Sequence, residues 1–161
     1  MTDVEKLSQV LWRERDLLEL LLYRLEVEQL VMASGRTTWL MRAAREVEQT
    51  LETLRETEVL RAVAADEAAS LVGLPPNPSL SALAEACEEP WHTILLDHRE
   101  AFHAVTGRIS AMADANRELI SAGYRSARET LLALSDDKQG YAHDGSVVGG
   151  PAGPRLVDRS L

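Results

Sequence analysis

Glu100 and His103 stand in a Glu-x-x-His spacing, which supplies carboxylate and imidazole ligands to di-iron centres in helical bundles. Such a centre needs that pair on two different helices, with a further glutamate from each of two more. The other pair, Glu89 and His92, falls at the start of the same predicted helix, so the spacing argues against a metal site. His98 falls on an apolar stripe at helical spacing, where an imidazole is ordinarily a polar packing residue. The single cysteine, Cys87, is followed by Glu88 and Glu89, whose charge disfavours a thiolate. One cysteine also excludes an internal disulfide framework and a Cys-based zinc site. There is no Gly-x-Ser-x-Gly, no phosphate loop and no dinucleotide fingerprint. No catalytic residue, metal or cofactor is therefore expected. Glu48, Glu52 and Glu56 make an i, i+4 row of like charge. Such a row is either a solvated face or a contact for a basic partner.

With 161 residues, the chain has the size of one ordinary domain. Its apolar fraction of 45% is Leu- and Ala-rich, with only three Trp, three Tyr and one Phe. Sheets favour aromatic and β-branched residues, so the composition points to helix. A formal net charge of −9 argues against nucleic acid and anionic membrane as partners, since both require an excess of Lys and Arg. The first residues, Met1-Thr-Asp-Val-Glu-Lys6, are charged from the third onward, unlike a secretory signal. Leu17 to Met32 is the most apolar run, and Glu19, Arg24, Glu26 and Glu28 interrupt it. No membrane insertion is expected from it. The expectation is a soluble, cytoplasmic, acidic, all-α protein.

Thr2 and Glu5 form a capping box that opens a first helix. Val4, Leu7, Leu11, Leu18, Leu21 and Leu25 recur at three, four or seven residues and mark one face. Leu17, Leu20, Val27 and Leu30 widen the buried arc, as in a bundle with two neighbours. Ser34-Gly35 predicts the stop, near Ala33. Thr37 or Thr38 is the expected cap of a second helix that runs to Leu71 and carries Leu40, Ala44, Val47, Leu51 and Leu54. Its stripe weakens at Glu58 and resumes out of step with Leu60 and Val63. So short a connection predicts an antiparallel hairpin.

Gly73-Leu-Pro-Pro-Asn-Pro78 breaks the chain, and Ser79 or Ser81 then caps a short helix ending at Cys87. Pro90 opens the last helix, expected to end near Leu134, with Leu95, Phe102, Val105, Ile109, Met112 and Asn116 on one face. The domain layout is thus a bundle over 1–134, with helices at 2–33, 37–71, 80–87 and 90–134. Residues 135–161 hold five of the nine glycines and two of the six prolines, and form an expected flexible tail. The fold class is an elongated antiparallel helical bundle.

Beyond Asn116 the apolar stripe of the last helix changes phase. It continues through Ile120, Tyr124, Ala127, Leu131 and Leu134, with Gly123 at the change. Two readings follow equally from the residues. This end packs back on the bundle or into a homodimer, or it leaves an apolar face for another protein's helix.

The long Leu-rich first helix, the hairpin and Asn116-Arg-Glu-Leu-Ile120 resemble the FlgN family of flagellar type III export chaperones. The segment Tyr141-Ala-His-Asp-Gly145 adds to the resemblance, since family members carry a Tyr-x-x-Asp-Gly-like segment after the last helix, then a Gly-rich basic end. Here that end is Gly149-Gly-Pro-Ala-Gly-Pro-Arg155, then Arg159. The resemblance covers roughly residues 3 to 147. It implies a cytoplasmic chaperone that binds the C-terminal helical segments of hook–filament junction proteins, prevents their early assembly and delivers them to the export gate. It implies client binding by Asn116, Leu119, Ile120, Tyr124, Ala127, Leu131 and Leu134. It also implies docking to the gate's cytoplasmic domain by Tyr141, with Asp144 and Gly145. The proline-rich stretch from Gly73 to Pro90 departs from the family pattern. A structural helical-bundle subunit is the alternative.

Overall fold

The structure, a computed structural model, describes residues 1–143, with side chains through Lys138. Four α-helices make it up: α1 (Asp3–Ala33), α2 (Leu40–Leu71), α3 (Leu80–Ala86) and α4 (Trp91–His143). The described residues contain no strand. Two units divide the chain, Met1–Ile120 and a second beginning at Ser121.

In the first unit, local chemistry sets most boundaries. At the start of α1 both capping-box bonds form: Glu5 N–H donates to Thr2 Oγ1 at 3.2 Å, and Thr2 N–H donates to Glu5 Oε2 at 2.7 Å. α1 stops where Gly35 takes φ +71°, a left-handed conformation that an L side chain rarely adopts. The expected threonine cap of α2 is displaced. Thr37–Trp39 form a 3-10 turn instead, and Trp39 caps α2 with no side-chain hydrogen bond. The tight connection draws both threonines into the turn, away from the first N–H groups of α2.

The proline-rich stretch has a defined course. Gly73 at φ +74° lets Leu74 N–H reach back to the Ala69 carbonyl at 2.9 Å, the Schellman closure of α2. Leu74 then packs on the core. Asn77 N–H donates to Asp66 Oδ1 at 2.6 Å, which ties the loop to α2. Ser79 caps α3 through Ala82 N–H, as the sequence predicts. His92 Nδ1 donates to the Ala84 carbonyl at 2.7 Å and pins α3 to the start of α4.

α1 and α2 are antiparallel. One core cluster joins Leu7 and Leu11 to Ala64, Ala68 and Ala69, with Leu83, Ala84 and Leu95; Phe102 packs at its edge. The other joins Leu21 and Leu25 to Val47 and Leu54, with Leu18, Leu51, Ile109 and Met112 around it. His98 meets Ser8, and Asn116 meets Glu28, so the first part of α4 runs parallel to α1. The far half of α2 corrects one expectation. Leu60 and Val63 are exposed, and Ala64, Ala68 and Ala69 fill the core. Small side chains leave room there for α3 and α4, and the large ones are left outside.

The second unit, described by itself, is the helical segment of α4 from Ser121 to His143. The helix therefore runs past the expected end at Leu134. The predicted tail begins inside it, and residues 144–161 lie outside the described part of the chain.

Candidate functional site

Polar groups inside the first unit come first, because they are where chemistry would reside. Glu14 is buried, and its Oε1 lies 3.3 Å from Arg61 Nη1. Its Oε2 has no hydrogen-bond partner. Burial raises the Glu14 pKa above the ordinary carboxylate value; the Arg61 charge opposes this and Glu58 adds to it. The sequence carried a sign of this residue, since position 14 fills the seven-residue gap between Leu11 and Leu18 on the buried stripe.

His98 is the polar packing residue its position predicts. It is 1% exposed. The Arg15 guanidinium can only donate, so Nδ1, 3.4 Å away, accepts. Nε2 then carries the proton and donates to Ser8 Oγ at 3.2 Å. Trp12 meets the imidazole edge-on, and Arg15 also stacks on Trp12 at 4.1 Å. Burial lowers the His98 pKa and Arg15 lowers it further, against a smaller opposing effect of Asp97.

Glu100 and His103 lie on the exposed side of α4. No group of three or more His, Cys, Asp or Glu among the described residues is placed to hold a metal ion. Burial raises the Cys87 pKa, which keeps the thiol protonated. A surface depression of about 450 Å3 lies between α1 and α4, lined by Glu19, Leu22, Tyr23, Val105 and Arg108 among others. Its lining contains no Ser, Thr, Cys, Lys or His.

α4 is the element that distinguishes the molecule. Asn116, which the apolar spacing groups with Ile109 and Met112 and the family resemblance assigns to client binding, is 2% exposed. Its Nδ2 donates to the Leu25 carbonyl at 3.0 Å and to Glu28 Oε1 at 3.1 Å. It is therefore a tie between α1 and α4 and does not belong to an exposed surface. From Arg117 through Lys138 every residue is exposed. Leu119, Ile120, Tyr124, Leu131 and Leu134 are among the exposed large apolar side chains, with Leu132 beside them. Ile120, Tyr124, Ala127, Leu131 and Leu134 are spaced by four, three, four and three, so they share an arc of about 80° at 3.6 residues per turn. Gly123 sits within this helix, and nothing lies within 4 Å of where its Cβ would be.

Of the residues assigned to gate docking, Tyr141 is inside the helical span of α4, not beyond it. Asp144 and Gly145 lie outside the described residues. No described helix is long and apolar enough to cross a membrane.

No curated protein and no solved structure matches the chain. The family model described as "FlgN protein" matches residues 1–149, which takes in all four helices. A hairpin, a short linking helix and a long last helix with an exposed apolar row thus occur in a chain that belongs to the FlgN family of flagellar export chaperones.

Proposed function

We propose that this chaperone acts in the cytoplasm by binding the C-terminal segments of hook–filament junction proteins and delivering them to the type III export gate. It does no chemistry on them. The observation that carries the reading is the row Ile120, Tyr124, Ala127, Leu131 and Leu134, all exposed on one side of α4. Leu119 flanks it. A junction protein's terminal segment would fold into amphipathic helices against this row, shielding its own apolar side from premature assembly. Ordering such a segment costs roughly 2–5 kcal/mol, which the buried apolar area offsets. Tyr141 would anchor the loaded complex on the cytoplasmic domain of the gate, with Asp144 and Gly145 beside it. A tyrosine suits this because its ring buries a large area with little rotamer entropy to lose.

Titration of junction-protein C-terminal peptides against the full chain tests loading. Leu131→Asp should abolish binding and leave the thermal melt unchanged. Titration of the loaded complex against the gate domain tests delivery. There Tyr141→Ala should weaken docking and leave client affinity within error; equal docking removes Tyr141 from the role. An obligate oligomer that buries the row in the absence of client would favour the structural-subunit reading instead.

A further inference from the structure

A second surface lies at the α1–α2 turn. From Gln29 to Arg45 the chain carries Arg36, Arg42 and Arg45 and no Asp or Glu, although the net charge of the whole is −9. Arg42 pairs with Glu46, at the edge of this run, at 3.2 Å. Neither Arg36 nor Arg45 forms an ion pair among the described residues, and both are exposed. The same turn region exposes three large apolar side chains: Leu30 at 68%, Trp39 at 54% and Met41 at 75%. Local structure does not account for Trp39, which supplies no side-chain cap to α2. The backbone of the turn is nevertheless fixed. Gly35 N–H bonds to the Met32 carbonyl, Ser34 Oγ donates to the Val31 carbonyl, and Arg36 N–H donates to Ser34 Oγ.

Trp, Met and Arg are the side chains enriched at the centres of protein interfaces. A rigid turn also presents them with little ordering cost. We infer that the α1–α2 turn is a docking surface for an acidic, amphipathic helical segment of another protein. The partner's apolar side would cover Trp39 and Met41, and its carboxylates would meet Arg36 and Arg45. An anionic bilayer fits less well. Polybasic membrane anchors use clusters of about 4–8 Lys or Arg, and the strongly acidic remainder of this chain would be repelled. This surface is separate in sequence and composition from the row on α4 and does not depend on that row's role.

The test uses the full chain, isotope-labelled, with three probes. One is a synthetic helical peptide with Leu on one face and Glu on the other; the second has Lys in place of Glu; the third is phosphatidylglycerol vesicles. The Glu peptide should shift the Gly35 amide and the Trp39 indole resonances. Its affinity should fall roughly tenfold or more in Trp39→Ala, and should fall likewise in the double variant Arg36→Glu, Arg45→Glu. Raising the salt should also weaken it, whereas Leu131→Asp should leave it unchanged. The substitutions are at exposed positions, and a thermal melt checks that each variant is folded. The inference is overturned by no binding of the Glu peptide, by equal binding of the Lys peptide, or by shifts confined to other residues. Loss of peptide binding in Leu131→Asp also overturns it, as does binding to the vesicles in place of the peptide.

Discussion

The two parts of α4 carry the same kind of apolar periodicity and use it in opposite ways. Between Trp91 and Asn116, Leu95, His98 and Asn116 are buried, and Phe102, Ile109 and Met112 pack on the cores. Between Leu119 and Leu134 an equally regular row is exposed. Hydrophobic spacing therefore predicts that a face exists and which residues share it. Whether the face is filled by this chain or left for another depends on what else the chain supplies. In the first unit α1 and α2 supply the complement.

The largest contrast should come from placing one charge in each part. Leu95→Asp puts an unpaired carboxylate where the native side chain is fully buried. It should cost about 3–5 kcal/mol, enough to unfold a domain of ordinary stability. Leu131→Asp, at an exposed site, should change stability by less than about 0.5 kcal/mol. Chemical denaturation of both variants measures the difference, and similar losses would mean that the two parts do not differ.

A smaller effect marks where the two behaviours meet. Asn116→Ala removes two hydrogen bonds to α1 and leaves the Leu25 carbonyl and Glu28 without them. The expected loss is about 1–3 kcal/mol in global stability, with client affinity unaltered. A fall in client affinity at unchanged stability would return Asn116 to the exposed surface.

The smallest effects are pH-dependent and confined to the first unit. The raised pKa of Glu14 means that the folded state holds its proton more tightly than the unfolded state. Its contribution is fully present below the unfolded carboxylate value and is lost as pH rises through the folded value. Glu14→Gln should therefore raise the melting temperature slightly at neutral pH and flatten that slope. The lowered pKa of His98 acts in the opposite direction. Its contribution is present above the ordinary histidine value, near 6.5, and is lost as pH falls through that value toward the folded one. Melts across pH, wild type beside Glu14→Gln, separate the two trends. An unchanged slope above the carboxylate range would show that Glu14 is not the group responsible.

Features set by near neighbours in the chain were legible in the sequence. The capping box at Thr2, the stop at Gly35, the break at Gly73 and the cap at Ser79 all involve residues a few positions apart. The inner stripe of α1, with Leu7, Leu11, Leu21 and Leu25, and that of the first part of α4 were legible too, whereas Leu20 and Leu30, expected in the buried arc of α1, are exposed. Apart from the threonine cap of α2, lost locally to the 3-10 turn, what escaped depends on distant packing. Leu60 and Val63 look like core until α3 and α4 occupy the space beside Ala64, Ala68 and Ala69. Asn116 shares by spacing the buried face of Ile109 and Met112; its place in the client-binding set came only with the family resemblance, and its bonds to Glu28 and the Leu25 carbonyl remove it from that set. The end of α4 was misplaced because few apolar residues follow Leu134, yet Asp136, Asp137 and Lys138 are compatible with helix. Loss of burial is not a stop signal.

The Glu14–Arg61 contact has a consequence for how the hairpin can zip together. Two leucine-rich helices of some 30 residues offer several alignments that bury comparable apolar area. A slide of one turn, about 5.4 Å, would exchange leucine for leucine at many positions. It would also carry Glu14 away from Arg61 toward Thr57 or Ala65, with its carboxylate inside the interface and no cation opposite. Most of these shifted pairings are penalised by that one charge, as a polar residue in a coiled-coil seam penalises wrong registers. The buried acid thus lowers stability a little and keys the hairpin to a single alignment, so that α4 always meets the same groove.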